Sequence, residues 1–380
     1  MRKRTLSRTK LALVAVFILA RAAFAAPNNQ QQPKAQARHV DVVIALDTSS
    51  SMDGLIDSAR QKLWDIVLLL GKAEPQPILR VGLISYGNTN YDSSVGWVRK
   101  DSDLTTDLDT IYSKLFALKT MGGTEYVARA VRDATTQMQW DQDPKSLKIV
   151  FVAGNEPADQ DPVIPVESAV QDAREKGIYV NAIYCGQPNN GEAVGWQHVA
   201  SLGKGRYAAI DQNRVVAIAT PMDDELNKLS GELNKTYVAY GATGADKAAN
   251  QRAQDANAHS QGAHVAASRA AAKGSAVYSN EEWDLVDARK KGKVNIATMP
   301  PAAMPEPMRA MQPAQREAYV AEKAHEREAI QKRIADVNAR REEYIKAKKK
   351  AGGPKDAAFD DAVMGAIQGQ AESAGYRFAK

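Results

Sequence analysis

Asp47, Ser49 and Ser51 stand at alternate positions in the run Asp47-Thr-Ser-Ser-Ser-Met-Asp-Gly54, so their oxygens can all point the same way. A carboxylate and two hydroxyls are hard donors, which suit Mg²⁺ or Ca²⁺ and not zinc. The alternative for Ser51 and for Asp53 is local: short polar side chains before a helix are ordinary N-caps. Other chemistries find little support. None of the five histidines (39, 198, 259, 264, 325) falls in His-Glu-x-x-His, and there is no Gly-x-Ser-x-Gly. No Gly-x-Gly-x-x-Gly follows the first apolar run, so a dinucleotide site has no motif. The single Cys185 ends the apolar run Ile178–Cys185 and reads as a small buried hydrophobe.

The acidic, hydroxyl-rich loop follows Val40–Leu46, an apolar, β-branched run that predicts a buried strand. Ile56, Ala59, Leu63, Ile66, Val67 and Leu70 then give one apolar helix face. Ile78–Tyr86 predicts a second strand. Val95–Val98 predicts a short strand that must pair antiparallel at an edge, because its connection is too short for a helical crossover. Helices are predicted over 106–118 and 125–140, a strand over 147–153, a helix over 166–176, a strand over 178–185, a helix over 192–202 and a last strand over 206–210. The alternation is that of an α/β protein with a mostly parallel sheet and helices on both faces. In such a sheet, ligands sit beyond the C-terminal ends of the strands, where the Asp47 loop lies.

The pattern Asp47-x-Ser49-x-Ser51 after a buried strand resembles the metal-ion-dependent adhesion site of von Willebrand factor type A domains. Met121-Gly-Gly-Thr124 before the next helix pattern is similar to that family's second loop, which supplies a threonine ligand. The resemblance runs over roughly residues 38 to 225 and implies a Rossmann-like fold. Where the family carries an aspartate on a third loop, this chain has Gly154, and Asn155 or Glu156 are the candidates to take its part. The resemblance implies Mg²⁺, with Mn²⁺ or Ca²⁺ as alternatives, held by Ser49, Ser51 and Thr124, with Asp47 bonding directly or through water. It also implies a protein partner whose acidic side chain completes the metal shell. Loops carrying Asn88, Tyr91, Glu125 and Asp159 would set which partner fits.

Six of the 50 basic residues (Arg2, Lys3, Arg4, Arg8, Lys10, Arg21) and no acid lie in the first 25 positions. Without them bases and acids balance to within one charge, which argues against a nucleic-acid binder. The same segment reads as a secretory signal: a basic start, the short apolar run Leu11–Ala20 and the small-x-small pattern Ala23-Phe-Ala25. Export across an inner membrane follows, to the periplasm or, alternatively, outside the cell, with no membrane span once the signal is removed. Residues 26–37 form a Gln/Pro/Asn/Ala tether, 38–241 the α/β domain and 242–380 a mainly α-helical region with a Pro/Met-rich linker near 299–312. Thr220-Pro-Met-Asp223 reads as a capping box, followed by an apolar stripe from Met222 to Tyr240. Residues 315–350 predict a long charged helix. Its apolar seam is sparse for a coiled coil, so it either oligomerises the protein or folds back on the α/β unit. The leading expectation is an exported binding module and not an enzyme. One alternative is an envelope scaffold with a metal-free domain that works through its C-terminal helices. The other, a Mg²⁺-dependent phosphohydrolase of haloacid-dehalogenase type, needs an aspartate where Ser49 stands.

Overall fold

The computed structural model describes residues 38–210, 218–351 and 358–378. The signal-like segment and the tether lie outside them. The chain opens with β1 (His39–Asp47), α1 (Asp53–Gly71), β2 (Ala73–Glu74), β3 (Ile78–Tyr86) and β4 (Val98–Thr105). Next come α2 (Leu108–Ala117), α3 (Val127–Gln137), β5 (Leu147–Gly154), α4 (Val166–Glu175), β6 (Ile178–Tyr184), α5 (Gly191–Leu202) and β7 (Lys204–Ala209). The six long strands form one sheet in the order β4-β3-β1-β5-β6-β7. All its pairs are parallel except β3 with β4.

Alternation along β1 explains the unbroken apolar run. Val40, Val42, Ile44 and Leu46 enter the core beneath α1 and α2, whereas Val43 and Ala45 enter the core beneath α3, α4 and α5. A strand buried on both faces can carry polar residues only at its ends or in pairs. Asp41 is paired with Arg80 near the N-terminal end, and Asp47 closes the C-terminal end.

The edge strand is antiparallel, as its short connection requires, but it runs Val98–Thr105 and not Val95–Val98. Asp92 accepts from the Ser94 amide and caps a 3-10 turn at Ser93–Val95, and Gly96 follows in the left-handed region. The strand's half-exposed sequence, rich in charge, lacks the apolar alternation that would mark it. Helix α3 begins at Val127, two residues later than its pattern predicts.

The helical region continues with α6 (Asp223–Asn234), α7 (Gly244–Ser260), α8 (Ala263–Lys273), α9 (Leu285–Lys290), α10 (Glu306–Arg309), α11 (Pro313–Lys350) and α12 (Ala358–Ser373), then β8 (Arg377–Phe378). The expected capping box does not cap α6: the helix starts at Asp223 behind Met222 with no side-chain cap, the Thr220 hydroxyl donates to the Asp223 carboxylate instead, and α6 stops at Asn234, short of the predicted stripe. Past that point Val238 donates its amide to Asp284, and Ala239 bridges to the same residue, so Tyr237 and Tyr240 pack from extended chain. Asp284 itself caps α9 by accepting from the Asp287 amide. Within the Pro/Met-rich stretch Met304 and Met308 are buried.

These helices share their interior with the sheet. Arg269 on α8, 1 % exposed, donates to Asp109 of α2 at 2.7 Å and to Asp255 of α7 at 2.6 Å. Helix α11 folds back: Ile334 and Val337 join α6 and α8, and Arg341 donates to Asp223 at 2.9 Å. From the chain's end, Val363, Ala366, Ile367, Ala371 and Tyr376 enter the core beneath α1. There Gln370 of α12 exchanges hydrogen bonds with Asn181 of β6, and β8 pairs with β2. Among the described residues no helix is long and apolar enough to cross a membrane.

Candidate metal centre

Parallel pairing places Asp47 beside Tyr86, the last residues of their strands. Thr48 prolongs that pairing, its amide and hydroxyl both donating to the Tyr86 carbonyl, at 2.8 and 2.9 Å. The chain then turns on the Asp47 carboxylate, whose Oδ1 accepts from the Ser49 amide at 2.7 Å. The Ser49 and Ser51 hydroxyl oxygens lie 3.4 Å apart. Neither serves as a helix cap: the residue before α1 is Met52, and no side chain bonds to the helix start there. Met52 is fully buried and anchors the loop from below.

The second loop is fastened to the first. Met121 donates its amide to the Thr48 carbonyl, and Thr89 donates to that of Gly122. Asn88, buried, reaches the carbonyls of Lys119 and Thr48 with one amide group. Gly123 runs so close to the next loop that a Cβ on it would stand 2.2 Å from the Gly87 carbonyl oxygen. Only glycine permits that approach, and it brings Glu125, two residues on, to the ends of β1 and β3. Glu125 is nearly buried, at 8 % exposure. Its Cγ and Asp47 Oδ1 lie 2.7 and 2.8 Å from one point, the place a Cβ on Gly87 would take.

The third loop begins at Gly154. A Cβ there would lie 2.6 Å from the Tyr86 hydroxyl and 3.2 Å from Asp47 Oδ2. The Tyr86 phenol, which donates to the Ala153 carbonyl at 2.9 Å, fills the room that a side chain at 154 needs. Asn155 follows and donates from Nδ2 to the Ser51 hydroxyl at 3.2 Å, leaving its Oδ1 buried and without a hydrogen bond. Glu156 is exposed, and its backbone carbonyl is taken by the Trp196 indole.

Electrostatically the cluster is uncompensated. Asp47 is fully buried and its Oδ2 has no hydrogen-bond partner. Burial, and then the charge of Glu125, push its carboxyl up from 3.8 to about 8. Burial also raises Glu125 to about 7, with the Ser49 hydroxyl pulling down and Glu156 adding to the rise. No basic group figures among the influences on either acid. Burial and the Asp47 charge hold the Tyr86 phenol far above its usual value, so it stays a neutral donor. Cys185 is buried and raised by the same two causes, an inert thiol.

Of the residues singled out by sequence, Asp47, Ser49, Ser51 and Asn155 form a continuous chain of contacts, and Thr124 stands between Gly123 and Glu125 on the second loop. Asn88 is a brace between loops. Tyr91 turns toward β4, its hydroxyl 2.8 Å from Ser85 and its ring beneath Arg99. Asp159 is exposed on the third loop. Tyr86 and the inward position of Glu125 escaped the sequence reading. The signal for Tyr86 was there, in two strands ending level and a glycine opposite them that needs a filler. Among the described residues the exposed large apolar side chains are Val95, Met121, Val163 and Val194, each on a loop, a 3-10 turn or the first turn of a helix.

The family profile of the von Willebrand factor type A domain matches residues 41–201. Similar solved structures include mussel byssus proximal thread matrix protein 1 with a zinc-occupied MIDAS motif, 15 % identical over 47 % of this chain and 43 % of that one, TM-score 0.37. A von Willebrand factor type A protein from Catenulispora acidiphila is 14 % identical over 47 % and 40 %, TM-score 0.36. The pilus adhesin SpaC of Lactobacillus rhamnosus GG is 13 % identical over 47 % and 28 %, TM-score 0.36. The chain spans less than half the length of each. No curated protein matches it. The chain carries a von Willebrand factor type A domain over residues 41–201.

Proposed function

We propose that this chain is an exported, cation-dependent protein-binding module. The observation that carries the reading is Asp47: a wholly buried carboxylate with an unpartnered oxygen, beside two hydroxyls and two further acids. A buried charge of this kind costs several kcal/mol unless it is paired or coordinates a metal. The donor set fits a hard divalent cation, Mg²⁺ above all. Ser49, Ser51, Thr124 and the unspent Asn155 Oδ1 would hold it, with Asp47 bonding directly or through water. Glu156 contributes field from the exposed rim.

When bound, Mg²⁺ supplies a local positive charge and keeps coordination positions that a partner's carboxylate can take. This chain's own residues do the rest. The interlocked loops fix the donors, and the phenol of Tyr86 walls the site below. Met121, exposed on the loop bonded to Thr48, offers an apolar contact beside it, suited to a protein surface. The donor set favours binding, not turnover, as the reading. The leader on which export rests lies outside the described residues.

The test is an array of acidic peptides probed with full-length protein in Mg²⁺ and in EDTA. Capture confined to the Mg²⁺ arm and lost in Ser49→Ala/Ser51→Ala supports the reading. Equal capture in EDTA refutes it and favours the metal-free scaffold.

A further inference from the structure

We infer that Glu125 supplies the second carboxylate of the cation site, in place of a residue-154 side chain whose room the Tyr86 hydroxyl has taken. The inference rests on the reading of the site as a cation site and concerns which residues of this chain neutralise the ion.

The need is one of charge. Ser49, Ser51, Thr124 and Asn155 are neutral donors, so Asp47 alone leaves a divalent ion half compensated in a buried setting. Position 154 cannot add a carboxylate, because any Cβ there meets the Tyr86 oxygen at 2.6 Å. That oxygen is held in place by its bond to Ala153, and the Tyr86 ring is fully buried, so it cannot swing aside. Asn155 is uncharged. Glu156 is exposed, with its backbone pinned by Trp196. Glu125 is the remaining acid and meets each requirement. It is nearly buried, it flanks the same point above Gly87 as Asp47 Oδ1, and it directly follows Thr124 on a loop that Gly123 fixes against Gly87. Helix α3 starts only after it, which frees its side chain for the strand ends. Its polar neighbour is the Ser49 hydroxyl, itself one of the proposed ligands, and among the described residues Glu125 caps no helix and has no ion pair.

The test is calorimetric titration of the full chain with Mg²⁺, with thermal denaturation in EDTA to report folding. Glu125→Gln is expected to bind at least about tenfold more weakly than wild type, since a charged ligand is lost. Asp172→Asn, an exposed acid on α4, is expected to stay within about twofold, as a screened surface charge should. The triple variant Tyr86→Phe/Gly154→Asp/Glu125→Gln moves the carboxylate to position 154 and is expected to regain affinity. Glu125→Gln binding as tightly as wild type overturns the inference, as does an equal loss in Asp172→Asn. A triple variant no tighter than Glu125→Gln overturns the exchange of roles between the two positions. Should Glu125→Gln not fold, Glu125→Asp, with the charge on a shorter stem, carries the test: weakened binding supports the inference and unchanged binding overturns it. A silent wild type sinks the cation reading itself and this inference with it.

Discussion

Replacing Asp47 by Asn should stabilise the metal-free protein at neutral pH, although it removes the residue central to the site. Folding raises this carboxyl from 3.8 to about 8, so the folded state holds a proton that the unfolded chain releases. The sign follows: the group's favourable contribution is complete below 3.8 and is lost as pH rises through about 8. At pH 7 the unfolded state has gained its full ionisation over roughly three pH units, which at 1.36 kcal/mol per unit makes the cost of folding with Asp47 about 4 kcal/mol. Asn at this position is isosteric, keeps an acceptor for the Ser49 amide and does not titrate. Urea denaturation in EDTA, followed by circular dichroism at pH 5 and pH 8, reads the difference. Wild type should lose stability between the two values, and Asp47→Asn should lose far less and exceed wild type at pH 8. In saturating Mg²⁺ the order should reverse, because only the native carboxylate gains from the ion. A variant that falls in parallel with wild type, or is less stable than it at pH 8 in EDTA, refutes the claim that this carboxylate is buried without compensation.

Gly154→Ala places a methyl 2.6 Å from the Tyr86 hydroxyl and should cost about 1–3 kcal/mol. Adding Tyr86→Phe should recover part of it, and denaturation of the single and double variants checks both. Arg269→Met leaves Asp109 and Asp255 buried without their shared cation and should cost about 3–5 kcal/mol, read as a lowered denaturation midpoint. Against burial, which raises it, Arg269 and then Lys273 hold Asp255 down to about 2, so in wild type its contribution should be complete above 3.8 and lost as pH falls through about 2, which denaturation midpoints across that range check. A stop after Ala351 removes Val363, Ala366, Ile367, Ala371 and Tyr376 from the core beneath α1 and should abolish cooperative unfolding. Equal protease resistance of the truncated and full chains would refute that.

Legibility in the sequence followed the physics of each element. Strands buried on both faces, such as β1 and β5, announce themselves as unbroken apolar runs, and the alternation with helices dictates a parallel sheet. Asp47, Ser49, Ser51 and the Gly-Gly-Thr loop were readable because their spacing is local. The edge strand β4 was misplaced because its exposed face carries Arg99, Lys100 and Asp103, which hide the period. The inward position of Glu125 was not readable, because it depends on two loops meeting at Gly87 and Gly123. Nor was the return of the chain's end to the sheet: the Asn181–Gln370 pair spans 189 positions, and no local pattern encodes such a contact. Tyr86 illustrates both cases, since its strand was plain but its role emerges only opposite Gly154.

The most direct measurement is a calorimetric titration of Mg²⁺ into the full chain beside Asp47→Ala. A saturable heat in wild type that vanishes in Asp47→Ala is the result expected of a cation site built on that carboxylate. No heat and no thermal stabilisation in wild type, or the same heat in both proteins, would contradict it.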